Sequence, residues 1–225
     1  MIVTIAGAGR QAEGIAVRVL AGGHKLRLSD SELNSAESGR AEWLAGTLSA
    51  RTGPDAGGRH LEITVAGVAE AIAGADVVVL ALPYGEGRLV ARDQGAALAG
   101  TIVVDPCNPV DFSTFDSLLT SPGMSAAEEI AEANPAARVV KAFNTTFQSA
   151  LEAGQVGGLP LDVFLASDDP YAKEKVAALV HDGGMRPVDT GPLRRARELE
   201  AFQFLHMTLQ GPLGLDWNSA IKLLP

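Results

Sequence analysis

Short apolar runs rich in valine and isoleucine alternate with helix-length stretches from the second residue onward. This alternation constrains the fold more than any other feature. The runs "IVTIA" (2–6), "KLRLS" (25–29), "LEITV" (61–65), "DVVVLAL" (76–82), "TIVVD" (101–105), "ARVVKAF" (137–143) and "LDVFLAS" (161–167) read as strands, with "RPVDT" a shorter eighth. Between them lie "QAEGIAVRVLAGG", "SELNSAESGRAEWLAGTLSA", "SAAEEIAEA", "TTFQSALEAG" and "DPYAKEKVAALVHDGG", and a last helix, "RRARELEAFQFLHMTLQG", closes the series. "RTGPDAGGR" reads as a loop. Strands separated by helices of this length form βαβ units. The prediction is an α/β fold: a Rossmann doubly wound parallel sheet with a C-terminal α/β extension packed on it. The expected division is 1–150 for the dinucleotide-binding part and 151–225 for an extension that completes a substrate cleft and supplies a dimer contact.

A doubly wound sheet binds ligands at the carboxyl ends of its strands, where the strand order reverses. The turn after the first strand, Gly7-Ala8-Gly9-Arg10-Gln11-Ala12, fits G-x-G-x-x-[G/A] in the strand–turn–helix setting that this motif needs. Gly7 permits the tight turn, Gly9 lets the backbone approach a pyrophosphate, and Ala12 is small enough for the helix to pack on the strand. Free N–H groups at the helix start, with the positive end of its dipole, would hold the anion. The second strand ends at Leu28-Ser29-Asp30-Ser31-Glu32. An acidic residue here accepts hydrogen bonds from the adenosine ribose and repels a 2′-phosphate, so Asp30, with Ser31, favours NAD over NADP. Capping of the next helix is the other role open to both residues.

With 225 residues, 47% hydrophobic and 20% charged, the chain can bury a sizeable core. A net charge of −9 argues against a nucleic-acid or anionic-membrane partner, and no apolar run is long enough for a membrane span. The single cysteine, Cys107, excludes an intrachain disulfide and fits a cytoplasmic protein. The four histidines show no metal-ligand spacing, so no metal site is expected. The N-terminus runs directly into the first strand without a signal-peptide pattern.

Several longer runs carry a resemblance: "GAGRQA", "ADVVVLALPY", "VVDPCNPV", "SAAEEIAEANPAARVVKAFNTTF", "DVFLASDDPYAKEKVAALVHDGGMRPVDTGPL" and "RELEAFQFLHMTL". Together they resemble the coenzyme F420-dependent NADP oxidoreductases and their bacterial relatives, across nearly the whole chain. The resemblance implies a homodimeric enzyme that moves hydride between a nicotinamide dinucleotide and a deazaflavin. It implies that Gly7, Ala8, Gly9, Arg10 and Gln11 hold the pyrophosphate and that Leu82 and Pro83 lie along the dinucleotide. It places Ala142, Asn144 and Thr146 where nicotinamide meets deazaflavin. Two stretches depart from the family pattern. NADP-using members commonly carry a Ser-Arg pair where this chain has Asp30-Ser31-Glu32, and F420-using archaeal members look more like His-Thr-Ile near Asn144-Thr145-Thr146.

Hydride transfer between planar rings asks little of side chains beyond positioning. A carbonyl or imine substrate would instead need a general acid, for which Tyr84 in "LPYGEG" and His206 in "FQFLHMTL" are the candidates. The alternative for Tyr84 is a packing lid and for His206 a core or interface position. Asn108 and Asn144 can hydrogen-bond a carboxamide, or serve respectively as a turn residue and a helix cap. Cys107 reads as packing rather than as a nucleophile. Ser125 and Glu128 have capping-box spacing. Arg194, Arg195 and Arg197 either attract an anionic tail or pair with Glu198 and Glu200. A dinucleotide-binding sensor without a second cleft is the non-enzyme alternative.

Overall fold

The computed structural model describes residues 1–31, 38–52 and 62–224. Glu32, the front of the helix expected over 31–50 and most of the loop expected over 51–59 lie outside those residues. The first 150 residues contain strands β1 (Ile2–Ala6), β2 (Lys25–Ser29), β3 (Ile63–Val65), β4 (Val77–Leu80), β5 (Ile102–Asp105) and β6 (Arg138–Lys141). The helices between these strands are α1 (Arg10–Ala21), α2 (Arg40–Thr52), α3 (Val68–Ile72), α4 (Glu86–Asp93), α5 (Gly95–Leu98) and α6 (Ala126–Ala133). The rest of the chain adds α7 (Gln148–Ala153), a small hairpin β7–β8 (Gln155–Val156, Leu159–Pro160), β9 (Asp162–Ala166), α8 (Pro170–Asp182) and β10 (Arg186–Gly191). It closes with α9 (Ala196–Thr208) and α10 (Gln210–Leu213).

All but the hairpin strands join one eight-stranded sheet in the order β10-β9-β6-β5-β4-β1-β2-β3. The six strands from β1 to β6 pair in parallel, and the order reverses between β1 and β4. The centre is buried on both faces: Val77, Val78, Val79 and Leu80 of β4 have at most 1% exposure. This explains why these strands are continuous apolar runs without polar alternation. Burying each such side chain stabilises the fold by about 1.5–3 kcal/mol.

The fully parallel expectation needs correction at one edge. β9 meets β6 antiparallel, at the single pair Lys141–Ala166, and β10 then lies parallel to β9. A parallel return requires a crossover that runs back along the sheet. α7 has only six residues and leads into the hairpin, so it is not such a crossover. The capping box at Ser125 is present, with Ser125 Oγ accepting from the Glu128 N–H and the Glu128 carboxylate accepting from the Ser125 N–H. No helix among the described residues is long and apolar enough to cross a membrane.

Candidate active site

The carboxyl edge of the sheet, at the reversal between β1 and β4, carries the first element of the site. Gly7 has φ +97°, and a Cβ there would lie 2.2 Å from the Ala81 carbonyl oxygen, so only glycine fits this turn. Gly9 precedes α1 with no side-chain cap. A Cβ built on it meets no atom within 4 Å. The backbone just before α1 therefore borders open space, which leaves room for a pyrophosphate at the helix start. Ala12 is fully buried, as its place in the motif requires. Gly14 makes a second close approach that the motif did not signal: a Cβ there would stand 2.8 Å from Leu151 Cβ, so α1 and α7 touch almost backbone to side chain.

Two adjoining cavities, of about 440 and about 520 Å³, open beside this turn. Both are lined by Gln11, Asn108, Phe112 and Met207, so they form one cleft. The first adds Leu82, Pro83, Tyr84 and Cys107, and the second adds Arg10, Thr146, Phe147, Gln203 and Trp217. The structure thus brings together Arg10, Gln11, Leu82, Pro83, Tyr84, Asn108 and Thr146 from the residues singled out in the sequence. Ala142 is fully buried in the core, and Asn144, 1% exposed, sits behind the cleft wall. Phe112, Phe147, Met207, Gln203 and Trp217 were not foreseen; the one sequence signal was an accumulation of aromatics late in an aromatic-poor chain. A separate concavity of about 330 Å³, lined by Asp76, Thr101 and Tyr171 among others, shares none of these residues.

Polar groups under the cleft are tightly engaged. Asn108 Nδ2 donates to the Asn144 carbonyl at 2.8 Å, while Asn144 Nδ2 donates to Asn108 Oδ1 and to the Leu199 carbonyl. Asn144 is therefore a wall residue that fixes Asn108, not a helix cap; α7 starts only at Gln148. Phe143 has φ +65° with its ring buried. A non-glycine residue in this conformation costs about 1–3 kcal/mol and persists only where neighbours hold it. Its carbonyl accepts from Gln11 Nε2 at 2.7 Å and from Thr146 Oγ1 at 2.6 Å. The Thr146 hydroxyl is thereby spent within the turn.

Beneath Cys107 lies a buried charged triad. Lys141 Nζ donates to Asp105 at 2.8 Å, to Glu200 at 2.7 Å and to the Cys107 carbonyl at 2.5 Å. Burial disfavours the ammonium, but Asp105 and Glu200 outweigh it and hold its pKa above the ordinary lysine value. Burial pushes the Cys107 thiol up, and Asp105 adds to that, so Cys107 stays a thiol. Glu200 also accepts from the Ala126 N–H at the start of α6. It is not a surface partner for the nearby arginines: Arg195 pairs with Glu198, and Arg197 pairs with Glu128.

Neither sequence candidate for a general acid is free. The Tyr84 hydroxyl contacts both Glu129 oxygens, at 3.0 and 3.2 Å. Burial and then Glu129 push its pKa up to about 12. His206 is buried, with Nδ1 on Gln203 Oε1 and Nε2 on Ser219 Oγ, and it stacks on Phe147. Burial lowers its pKa.

At the end of β2, both Asp30 oxygens accept backbone N–H groups, from Gly39 and Ala41, at 2.7 Å each. The capping role is the one observed. Ser31 donates to Glu86 at 2.6 Å, and Arg40 Nε reaches the Ala8 carbonyl at 3.4 Å.

Residues 2–109 match the family described as NADP oxidoreductase, coenzyme F420-dependent. Over 205 residues the chain is 27% identical to the F420-dependent NADP reductase of Methanothermobacter marburgensis, covering 88% of this chain and 87% of that one. A crystal structure from Arthrobacter sp. FB24, described as a candidate F420-dependent NADP-reductase, superposes with a TM-score of 0.76 at 28% identity and 94% coverage of both chains. Residues 2–109, just under half of the chain, are thus similar to this oxidoreductase family, and the two reductases resemble the chain over most of its length. The rat metalloreductase STEAP3 is 38% identical over 104 residues, which are 46% of this chain and 20% of that protein. The chain thus spans about a fifth of the metalloreductase. The family is one of NADP-dependent oxidoreductases, and it lends no support to the NAD preference expected from Asp30.

Proposed function

We propose that this chain transfers a hydride between NADP(H) and a planar deazaflavin such as F420. The observation that carries the reading is an open cleft beside the glycine turn, walled by Tyr84, Phe112, Phe147, Met207 and Trp217. Flat apolar walls of this kind suit a ring system that lies against them. The dinucleotide, when bound, supplies the hydride donor or acceptor carbon. The α1 N-terminus binds the pyrophosphate, Leu82 and Pro83 border the cleft, and Asn108, held at both ends by Asn144, lines it between the two cavities. Apolar walls shelter the reacting faces, and the proton that the reduced deazaflavin takes up at its ring nitrogen comes from solvent through the open cleft, so no side chain has to supply it.

NADP over NAD rests on the family's dependence, while the Asp30 carboxylate, which holds two N–H groups of the α2 start, is the one residue that argues for NAD. Titration of the purified protein with NADPH and NADH tests it, and tighter NADH binding would overturn it. Hydride transfer to F420, followed by F420 absorbance, tests the acceptor; tight NADPH binding without turnover would discard F420. A carbonyl or imine reductase is less well supported, because Tyr84 and His206 are both committed to internal partners. A sensor without a second cleft fits poorly with the cleft itself.

A homodimer is also proposed. Phe202, Leu205, Leu209 and Leu213 recur at helical spacing along α9 and α10 and are all exposed, an apolar stripe that a second copy would cover. Light scattering reads the mass directly, and a monomer at micromolar concentration would refute the dimer.

A further inference from the structure

The strained carbonyl of Phe143 joins two parts of the site that the proposed function keeps separate. On one side is Gln11, the second residue of α1, whose main chain belongs to the turn that receives the pyrophosphate. On the other is the Asn144-Thr145-Thr146 turn, which carries Thr146 and Phe147 into the cleft. These segments are 132 residues apart in the chain, and the Gln11 amide spans them with one 2.7 Å hydrogen bond to the Phe143 oxygen. The same oxygen accepts from Thr146 Oγ1 at 2.6 Å and from the Thr146 N–H at 3.3 Å. Three donors therefore converge on a carbonyl whose residue sits at φ +65°. The turn continues into Asn144, which holds Asn108 through reciprocal hydrogen bonds.

We infer that the Gln11 side chain is a positioning residue that latches the dinucleotide loop to the Phe143–Thr146 turn, so that filling the loop orders the opposite wall of the cleft. The inference rests on the glycine turn being the dinucleotide site, and not on the identity of the acceptor. Anion binding at the start of α1 restrains the Gln11 main chain. With that anchor held, the Gln11 amide restrains the Phe143 carbonyl, and through it the turn and Asn108. Strain at Phe143 makes the turn responsive, because a residue in a disfavoured conformation relaxes when one of its restraints is removed. Coupling of this kind is reciprocal: a ligand on the turn side also tightens the loop.

Hydrogen exchange reads the latch without any turnover. The probe is ADP-ribose or its 2′-phosphate, which fills a pyrophosphate loop and carries no nicotinamide to touch the turn. In the parent protein the probe is expected to slow exchange in a peptide over residues 7–12 and also in one over 143–147. In Gln11→Met, which keeps the side-chain length and removes the donor, exchange at 143–147 in the free protein should rise roughly threefold to tenfold, the loss of one hydrogen bond. The probe should still protect 7–12 in that variant and no longer protect 143–147. In Thr146→Val the turn should loosen in the free protein yet still respond to the probe, because Gln11 remains. With F420 as acceptor, Gln11→Met should lower kcat about tenfold, with KM for NADPH within about threefold.

Protection of 143–147 that survives in Gln11→Met would overturn the latch, as would a parent protein in which the probe protects 7–12 alone. No protection at 7–12 in the parent would remove the dinucleotide reading and the latch together. An intact exchange pattern without turnover on F420 would sustain the latch and discard only the acceptor.

Discussion

Gly7 and Gly9 stand two residues apart and do different work. Alanine at Gly7 would drive a Cβ into the Ala81 carbonyl at an unfavourable φ. Gly7→Ala should cost at least about 3 kcal/mol in urea denaturation, if it folds at all. Gly9 has φ −78° and open space at its Cβ position. Gly9→Ala should denature like the parent and bind NADPH at least about tenfold more weakly, since the added methyl occupies the ligand's approach. Equal effects of the two substitutions on stability would contradict this assignment. Tyr84 allows a prediction of opposite sign to a catalytic one. Its pKa is raised to about 12, so it keeps its proton throughout the neutral range. A group raised in this way contributes stability that is present below its unfolded value of about 10 and is lost as the pH climbs towards 12. Tyr84→Phe should therefore remove no limb from the kcat/KM profile between about pH 6 and 9, and a lost limb would restore it as an acid.

Elements are tied together at the carboxyl edge by the Lys141 triad, which connects β5, β6, α6 and α9. Lys141→Met leaves two buried carboxylates facing each other and should destabilise the protein by about 3–5 kcal/mol. Adding Glu200→Gln should recover part of that loss, and a purely additive double variant would argue against a coupled unit. At the far end of the sheet, the β9 residue Asp162 holds Arg186, Lys222 and the Leu223 N–H, which pins the tail against β10. Burial opposes this carboxylate, but these hydrogen bonds win and lower its pKa to about 2. The stabilisation is present above the unfolded value of about 3.9 and disappears as the pH falls through about 2. It amounts to about 2.6 kcal/mol, and Asp162→Asn should flatten the stability profile over that interval, measured by urea midpoints at stepped pH.

For the whole molecule, the site lies where the strand order reverses, and its second wall comes from the C-terminal third. Phe147 packs edge-on against Trp217 and stacks on His206, so α7, α9 and the tail close one side of the cleft. Ligand at a hundred times its Kd should raise stability by about 2.7 kcal/mol, and a thermal shift with NADPH that exceeds the shift with NADH would agree with the NADP reading. If the α9–α10 stripe is the dimer face, Leu205→Glu with Leu209→Glu should halve the mass in solution and leave NADPH binding within about threefold, as the stripe is distinct from the glycine turn.

Local chemistry was enough to read the strands, the helices and the glycine turn. Apolar runs, helix stops and a G-x-G-x-x-A turn act over a few residues, and the sheet turns that alternation into the order β3-β2-β1-β4-β5-β6. Direction at the sheet edge was not readable, because it depends on how far α7 carries the chain. Asp30 stood open as ribose partner and as cap, and the folded approach of Gly39 and Ala41 adds its capping bonds without touching the other role. Tyr84 and His206 stood open between acid and packing roles, because their partners, Glu129, Gln203 and Ser219, are not their immediate neighbours in the chain. The sequence by itself determined the fold class and the glycine turn at the carboxyl edge of the sheet. The tertiary structure alone decided which polar groups are already spent and which wall faces that place, because hydrogen bonds between distant segments exist only once the sheet has brought them together.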